Sequence, residues 1–385
     1  MAEQFSNIMS PTDIWFGLGA VSRVGEACKS LHVERVLIVA DRYLVTSGNV
    51  RRITDVLDQE GIVYQLFSDF HPSPAVSEAE AAYNIMRENR LEGVIGFGGG
   101  SSMDTAKAIA MLQTNPLPVN QYAGMHKVPN KSAPLILIAT TAGTGSEVSI
   151  GSILKDDETH VKLGIQSKNI LADIAITDPE LTFSMPPALT AYTGMDALTH
   201  GIEGYVSRFG NEVLRLLQRE GIHLIYGSLR NAVFNGNDAE SRQNVMMGSM
   251  LVGWAMASSR LGACHAMAYP VEAKHTAAHG EVNAALLPAV MRFNALGDLK
   301  RFRELAELMG EHVEGLSDRE AAFRAVDAVE KLADDIGIKR LSELGVTEDE
   351  LPEMAEIAVN YERLMVANPR KVSYEDAMEI YLKSL

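Results

Sequence analysis

The rhythm of apolar positions changes halfway along the chain. In the first half, short apolar runs at 36–40, 62–67, 93–98 and 135–140 alternate with stretches of helical periodicity near 47–60, 77–90 and 102–112. Apolar runs of this length without strict polar alternation suit strands covered on both faces, so the pattern predicts βαβ units and a mostly parallel sheet. The segment ILADIAITDPELTFSMPPALTAYTG then brings Pro179, Pro186 and Pro187, and reads as a hinge. Beyond it strand signals almost vanish. Stretches such as DLKRFRELAELMGEHV and REAAFRAVDAVEKLADDIG keep a helical period, Thr347 and Glu350 form a capping-box pattern, and Pro352 fits only the first turn of the helix that follows. Pro369 interrupts again before a final helix. A chain of 385 residues exceeds a typical single domain. The expectation is an α/β domain over residues 1–186 with a mostly parallel sheet, then an all-α domain over 187–385.

Composition narrows the possible partners. Hydrophobic residues make up 46% of the chain, ample for two cores. The formal charge of −16 repels nucleic acid and anionic membranes, so neither is expected as a partner. Cys28 and Cys264 are too few and too far apart for a disulfide framework, which suits a reducing cytoplasm. The opening MAEQFSNIMSPTDIWFG has no signal-peptide pattern, and no apolar run approaches the roughly 20 residues of a membrane span. A cytoplasmic protein is expected.

Two polar turns suggest a nucleotide site. Gly98, Gly99, Gly100 and Ser101 lie between a short apolar run and an amphipathic helix. Glycines there allow close backbone approach, and the free N–H groups and positive dipole end of the helix suit a pyrophosphate. The turn is neither a Walker A loop nor GxGxxG, so alone it is a weak signal. After the run LILIAT comes TTAGTGSE, in which Thr140, Thr141 and Thr144 offer hydroxyls at the strand edge where doubly wound folds bind ligands. Asp41 ends the run VLIVA, where a carboxylate can bind an adenosine ribose and repel a 2′-phosphate; that favours NAD(H). A helix cap is the plainer role for the same residue.

The second half holds candidate metal ligands. Asp196 and His200 are four apart in a helical segment and so share a face; His265 and His279 complete an Asp/His₃ set. Such a set suits a divalent ion of the zinc or ferrous class, and its single carboxylate would leave a net charge of about +1. Four protein ligands fit either a structural site or a catalytic one that admits a further oxygen ligand. The nucleotide-type turns favour catalysis.

Taken together and in order, GGGSSMDTAK, ATTAGTGSEVS, ITDPELT, TGMDALTHGIEGYVS, CHAMAYP and HGEVNAALLP resemble the iron-containing (group III) alcohol dehydrogenase family over essentially the whole chain. The resemblance implies a dinucleotide-binding α/β domain, an all-helical domain and an active site in the cleft between them. It implies one divalent ion, Fe²⁺ or Zn²⁺, on Asp196, His200, His265 and His279. Cofactor contacts are implied for Asp41, Gly98–Ser101, Asp104, Thr140, Thr141, Thr144 and Lys162. A homodimer or higher homo-oligomer is expected on the same ground. The activity implied is hydride transfer between NAD(H) and a small aldehyde or primary alcohol. The alternatives are a polyol dehydrogenase of the glycerol or 1,3-propanediol type, a dehydroquinate-synthase-type enzyme on the same fold, or a non-catalytic nucleotide-binding protein.

Departures from the family pattern cluster near the expected substrate pocket. Tyr269 stands where a histidine is usual, Glu272 where a glycine is usual, and Ala278 where a proline is usual; Ser73 replaces an asparagine. Arg260, Lys274 and His275 are likewise atypical. Arg260 and Lys274 suggest an anionic aldehyde bearing a sulfonate, phosphonate or carboxylate, with Tyr269 and His275 as proton-handling neighbours. The plainer role for the two cations is surface charge or an ion pair with Glu272.

Overall fold

The computed structural model describes residues 12–159 and 161–385. Most of the stretch expected to lack a signal peptide, and His160, lie outside the described residues. One compact unit runs to Thr141 and takes in Gly145–Phe183; the other holds Ala142–Thr144 and Ser184–Leu385.

The first unit is built on strands β1 (Asp13–Phe16), β2 (Arg35–Ala40), β3 (Val63–Phe67), β4 (Gly93–Gly98), β5 (Gly124–Met125), β6 (Leu135–Ala139), β7 (Gly151–Lys155), β8 (Lys162–Gln166) and β9 (Ile174–Thr177). Six of them form a sheet in the order β1-β9-β6-β4-β2-β3, parallel at every pairing. Burial follows position. The inner strands β4, β6 and β9 are buried throughout, whereas the edge strand β1 has no buried residue and the edge strand β3 only one. Parallel strands covered on both faces must be apolar on both, which is why β4 and β6 were legible as continuous runs.

The hinge expectation needs correction. Ile174–Thr177, inside the proline-bearing segment, is a central strand paired with both β1 and β6. Three apolar residues and a threonine beside Asp178 and Pro179 carry no period of their own, and the sheet supplies the context the sequence lacks. Buried Asp178 then accepts from the backbone N–H groups of Gly19 at 3.1 Å and Val21 at 3.1 Å, tying the turn after β1 to the end of β9. The strands β5, β7 and β8 form a separate sheet in the order β5-β8-β7 that the sequence pattern did not announce.

The second unit is helical, as the apolar period indicates. Its first three helices are Pro187–Val206, Glu212–Phe234 and Ala239–Ser259; Pro187 occupies the first turn of the first, where its missing N–H costs nothing. Helices Ala263–Lys274 and His279–Asn294 follow. The Thr347–Glu350 box caps the short turn Glu348–Glu350, which leads into helix Leu351–Val359 with Pro352 in its first turn. No helix among the described residues is long and apolar enough to cross a membrane.

Helices 212–234 and 239–259 touch through their backbones. A Cβ on Gly248 would lie 2.8 Å from the Gly221 carbonyl, and one on Gly221 would lie 2.9 Å from the Gly248 carbonyl. Gly248→Ala gains about 1 kcal/mol of helix propensity. It loses about 1–3 kcal/mol to overpacking, and a backbone carbonyl cannot swing aside as a side chain would. Net destabilisation is expected, read as a lower thermal midpoint than the parent; an unchanged or higher midpoint would refute the close crossing.

Candidate metal centre and cofactor turns

The metal centre is built on one face of helix 187–206. Asp196, His200 and Glu203 follow one another at four- and three-residue steps, so their side chains stack along that face. Asp196 and His200 are nearly inaccessible. Helix 263–274 brings His265, and helix 279–294 brings His279 at its first position. Gly280 permits the approach of the latter, since a Cβ there would stand 2.5 Å from the Tyr192 carbonyl and 3.1 Å from the Asp196 Cβ.

Nε2 of His265 and Nε2 of His279 each lie 3.9 Å from Asp196 Oδ1, and Nε2 of His200 lies 3.9 Å from Oδ2. The tightest cluster is Asp196, His265 and His279, whose ligand atoms all fall within 4.8 Å of one another; His200 comes in from the other carboxylate oxygen. The His200 and His265 rings stack with centroids 4.8 Å apart.

Hydrogen bonds on the far side of two rings fix what faces Asp196. His265 Nδ1 is 2.6 Å from Glu203 Oε2, and His279 Nδ1 is 2.5 Å from Glu272 Oε1. A carboxylate accepts only, so each Nδ1 carries the proton and each Nε2 presents a lone pair. Glu203 is anchored further by the Cys264 N–H at 2.6 Å. His265 Nε2 and His200 Nδ1 are buried without a hydrogen-bond partner. Imidazole lone pairs directed at a buried carboxylate repel it unless a cation lies among them. The spacing fits an ion, because two donors each at about 2.0–2.2 Å from one centre lie no more than about 4.4 Å apart.

Electrostatics agree with that donor set. Burial holds His200 down to about 4, against the pull of Asp196, so its imidazole is neutral and able to ligate. Burial pushes the Asp196 carboxyl up, and it is positive charge at the positions of the three rings that holds it below the usual range, a charge a bound cation would supply while the imidazoles stay neutral. Asn283 Nδ2 donates to Asp196 Oδ1 at 2.9 Å.

Glu203 and Glu272 were not identified as partners of the ligand histidines from sequence. Glu203 carried a signal, since it lies three residues past His200 on the face that holds both helix ligands. Nothing local in the sequence links Glu272 to a histidine seven residues away across a turn.

In the α/β unit, β4 ends at Gly98 with φ 153°, where a Cβ would strike Ser102 Oγ at 2.3 Å. Helix Gly100–Leu112 begins from Gly99 with no side-chain cap, so its first N–H groups remain open for an anion. Ser101 Oγ donates to the Pro72 carbonyl. Thr140 is buried and its N–H bonds Gly98 O at 3.0 Å, so the two turns join at the C-terminal ends of β4 and β6; a Cβ on Gly99 would meet Thr141 Oγ1 at 3.4 Å. Thr144 belongs with the helical unit.

Other candidates take different places. Asp41 ends β2 and caps the next helix, Oδ1 accepting from Leu44 N at 2.9 Å. Asp104 caps nothing. It accepts from Ser146 Oγ at 2.7 Å and Ile153 N at 3.0 Å, bracing β7. Beside it buried Lys107 donates to Ser146 Oγ, Ser149 O and Gly151 O at 2.9, 3.1 and 2.6 Å. Lys162 opens β8 and is exposed.

The four substrate-pocket candidates separate. Tyr269 is beside the centre, its ring stacked on His279 with centroids 6.0 Å apart. Lys274 pairs with Glu353 rather than Glu272, and His275 Nε2 lies 3.0 Å from Glu350 Oε2. Arg260, at φ 63°, lays its guanidinium 4.1 Å from the Phe209 ring centroid. Cys264 is wholly buried, its thiol donating to Asn283 O at 3.4 Å, which suits an inert thiol better than a nucleophile.

A parallel sheet with open turns at its strand ends, joined in one chain to a helical unit with an Asp/His donor cluster, defines a class of metal- and nucleotide-using oxidoreductases. Family models described as iron-containing alcohol dehydrogenase and as the C-terminal part of that family match residues 11–179 and 190–385. The chain belongs to the iron-containing alcohol dehydrogenase family. It is 36% identical over 384 residues to a 1,3-propanediol dehydrogenase of Klebsiella pneumoniae, covering 99% of both chains. A crystal structure of a 1,3-propanediol oxidoreductase superposes with a TM-score of 0.97 at 36% identity, covering 99% of this chain and 100% of that one. The sulfoacetaldehyde reductase of Bifidobacterium kashiwanohense in complex with NAD⁺ superposes at 0.90, with 30% identity and 99% of each chain covered.

Two outcomes test the site. Gly280→Ala is expected to push His279 from Asp196 and lower the metal retained through desalting, measured by elemental analysis, while circular dichroism stays that of the parent; full retention would refute the packing argument. Cys28 and Cys264 are both buried, and burial lifts Cys28 to about 12. Both thiols are therefore expected to resist a thiol reagent at pH 8 until denaturant is added; fast labelling of the native protein would contradict this.

Proposed function

We propose that this chain is a metal-dependent, NAD(H)-linked alcohol dehydrogenase that interconverts a small aldehyde and its primary alcohol. The observation that carries the reading is the convergence of imidazole lone pairs on the buried Asp196 carboxylate, a donor set that calls for a divalent cation. Asp196, His200, His265 and His279 would hold Fe²⁺ or Zn²⁺, both of which suit this set. When bound, such an ion supplies Lewis-acid stabilisation of charge growing on the carbonyl oxygen.

The chain's residues supply the rest. The turn Gly98–Ser101 and Thr140, Thr141 and Thr144 bind the dinucleotide, Asp41 selects the ribose that lacks a 2′-phosphate, and Asp104 and Lys162 support the cofactor side. NADH gives a hydride to the carbonyl carbon and one proton completes the alcohol. Burial, and then the charge of Glu272, push the Tyr269 phenol above its usual range, so it stays protonated beside His279 as a hydrogen-bond donor rather than as a ready acid. The expected setting is the cytoplasm, as a homodimer or higher homo-oligomer.

For substrate, the pairing of Lys274 with Glu353 and His275 with Glu350 supports a neutral aldehyde or diol, because both side chains already have carboxylate partners. The anionic reading keeps one observation in its favour. Arg260 has no carboxylate partner among the described residues. The likeness to a sulfoacetaldehyde reductase adds to it. Metal-stripped protein reloaded separately with Fe²⁺ or Zn²⁺ decides, with NADH oxidation followed on size-matched aldehydes, one neutral and one bearing a sulfonate. Preference for the neutral aldehyde is expected. Preference for the sulfonate, lost in Arg260→Ala, would establish the anionic reading. No turnover with either ion would overturn the enzyme assignment.

A further inference from the structure

Glu272 occupies a position that the sequence marks as atypical, and the structure gives it a specific partner. Its side chain is 7% exposed, and Oε1 sits 2.5 Å from His279 Nδ1. His279 is the most open member of the donor set, its side chain 30% exposed against 1% for His265, 5% for His200 and 3% for Asp196. It also stands at the first position of its helix, directly after the turn 275–278, with no side chain capping that end. Its ring meets Glu272 at Nδ1, the Tyr269 ring on one face, the tilted His265 ring with centroids 5.3 Å apart, and Asn283 Nδ2 at 3.1 Å from Nε2. Glu272 and Asn283 agree on the tautomer, one accepting at Nδ1 and the other donating toward Nε2, and Glu272 sets a carboxylate at the nitrogen that does not face Asp196.

We propose that Glu272 is the positioning residue for His279: it locks the Nδ1–H tautomer, makes Nε2 the donor, and strengthens that donor by placing a negative charge behind the ring. It acts as Glu203 acts on His265, so two of the three imidazoles are backed by buried carboxylates and His200 is not. The charge of the centre changes accordingly. Asp196 alone would leave about +1 with a divalent ion, whereas Asp196, Glu203 and Glu272 together bring it to about −1. A centre of that charge holds its divalent ion more tightly, and it does so at the ligand most open to solvent.

This rests on the proposed metal site, and the test separates the two. Apo protein would be titrated with Co²⁺ in competition with a chromophoric chelator, and the visible ligand-field spectrum recorded, for the parent, Glu272→Gln and Glu272→Ala. The amide of Glu272→Gln can still accept from Nδ1–H, so it removes charge and keeps the hydrogen bond; Glu272→Ala removes both. Expected are a roughly 10–100-fold loss of affinity in Glu272→Ala, a smaller loss in Glu272→Gln, and a shifted ligand-field band in each. Affinity within twofold of the parent in Glu272→Ala, or a lower melting temperature with an unmoved band, would overturn the positioning role while leaving the metal site standing. If Glu272→Ala does not fold, the near-isosteric Glu272→Gln carries the test alone, and parental affinity there overturns the charge argument. A parent that binds no Co²⁺ overturns both.

Discussion

The helical unit is organised around one electrostatic demand: a buried carboxylate faced by imidazole lone pairs. Asp196 lies 3.9 Å from a nitrogen of each of three histidines without a hydrogen bond to any of them. Burying a carboxylate costs several kcal/mol unless charge or hydrogen bonds compensate. Asn283 supplies one hydrogen bond, which is too little by itself. A divalent cation among the four side chains would supply the rest. Much of the local architecture serves that arrangement: the four- and three-residue steps along helix 187–206, the glycine that admits helix 279–294, and the acceptors that turn two rings inward.

The α/β unit obeys a different constraint. An all-parallel sheet covered on both faces leaves its polar possibilities at strand ends, and there the chain places glycine and threonine turns. Lys107 and Asp104 brace the segments behind those turns with interior hydrogen bonds. Burial pulls Lys107 down to about 8, yet its four oxygen acceptors favour the ammonium form. This cluster ties helix 100–112 to segment 146–153.

How much of this the sequence disclosed depended on whether the signal was local. The inner strands β2, β4 and β6 were legible because a doubly covered strand has to be apolar throughout. The strand Ile174–Thr177 was not, because four residues beside a proline-rich stretch look the same in a hinge and in a sheet centre. Asp196 and His200 declared themselves by helical spacing, and His265 and His279 by residue type and family likeness. The Glu203–His265 and Glu272–His279 bonds are tertiary facts; a glutamate in a helix gives no notice of what it meets across space. Lys274 shows the converse: its charge suggested a substrate, and folding set it against Glu353.

The most direct test of the account is anomalous diffraction at the iron and zinc absorption edges from crystals of protein loaded with each ion. The account predicts one strong site, bonded to Asp196 and to Nε2 of His200, His265 and His279, with Glu203 and Glu272 still on the Nδ1 atoms. A loaded crystal with no peak at Asp196, or with its ion bound through other residues, would contradict it.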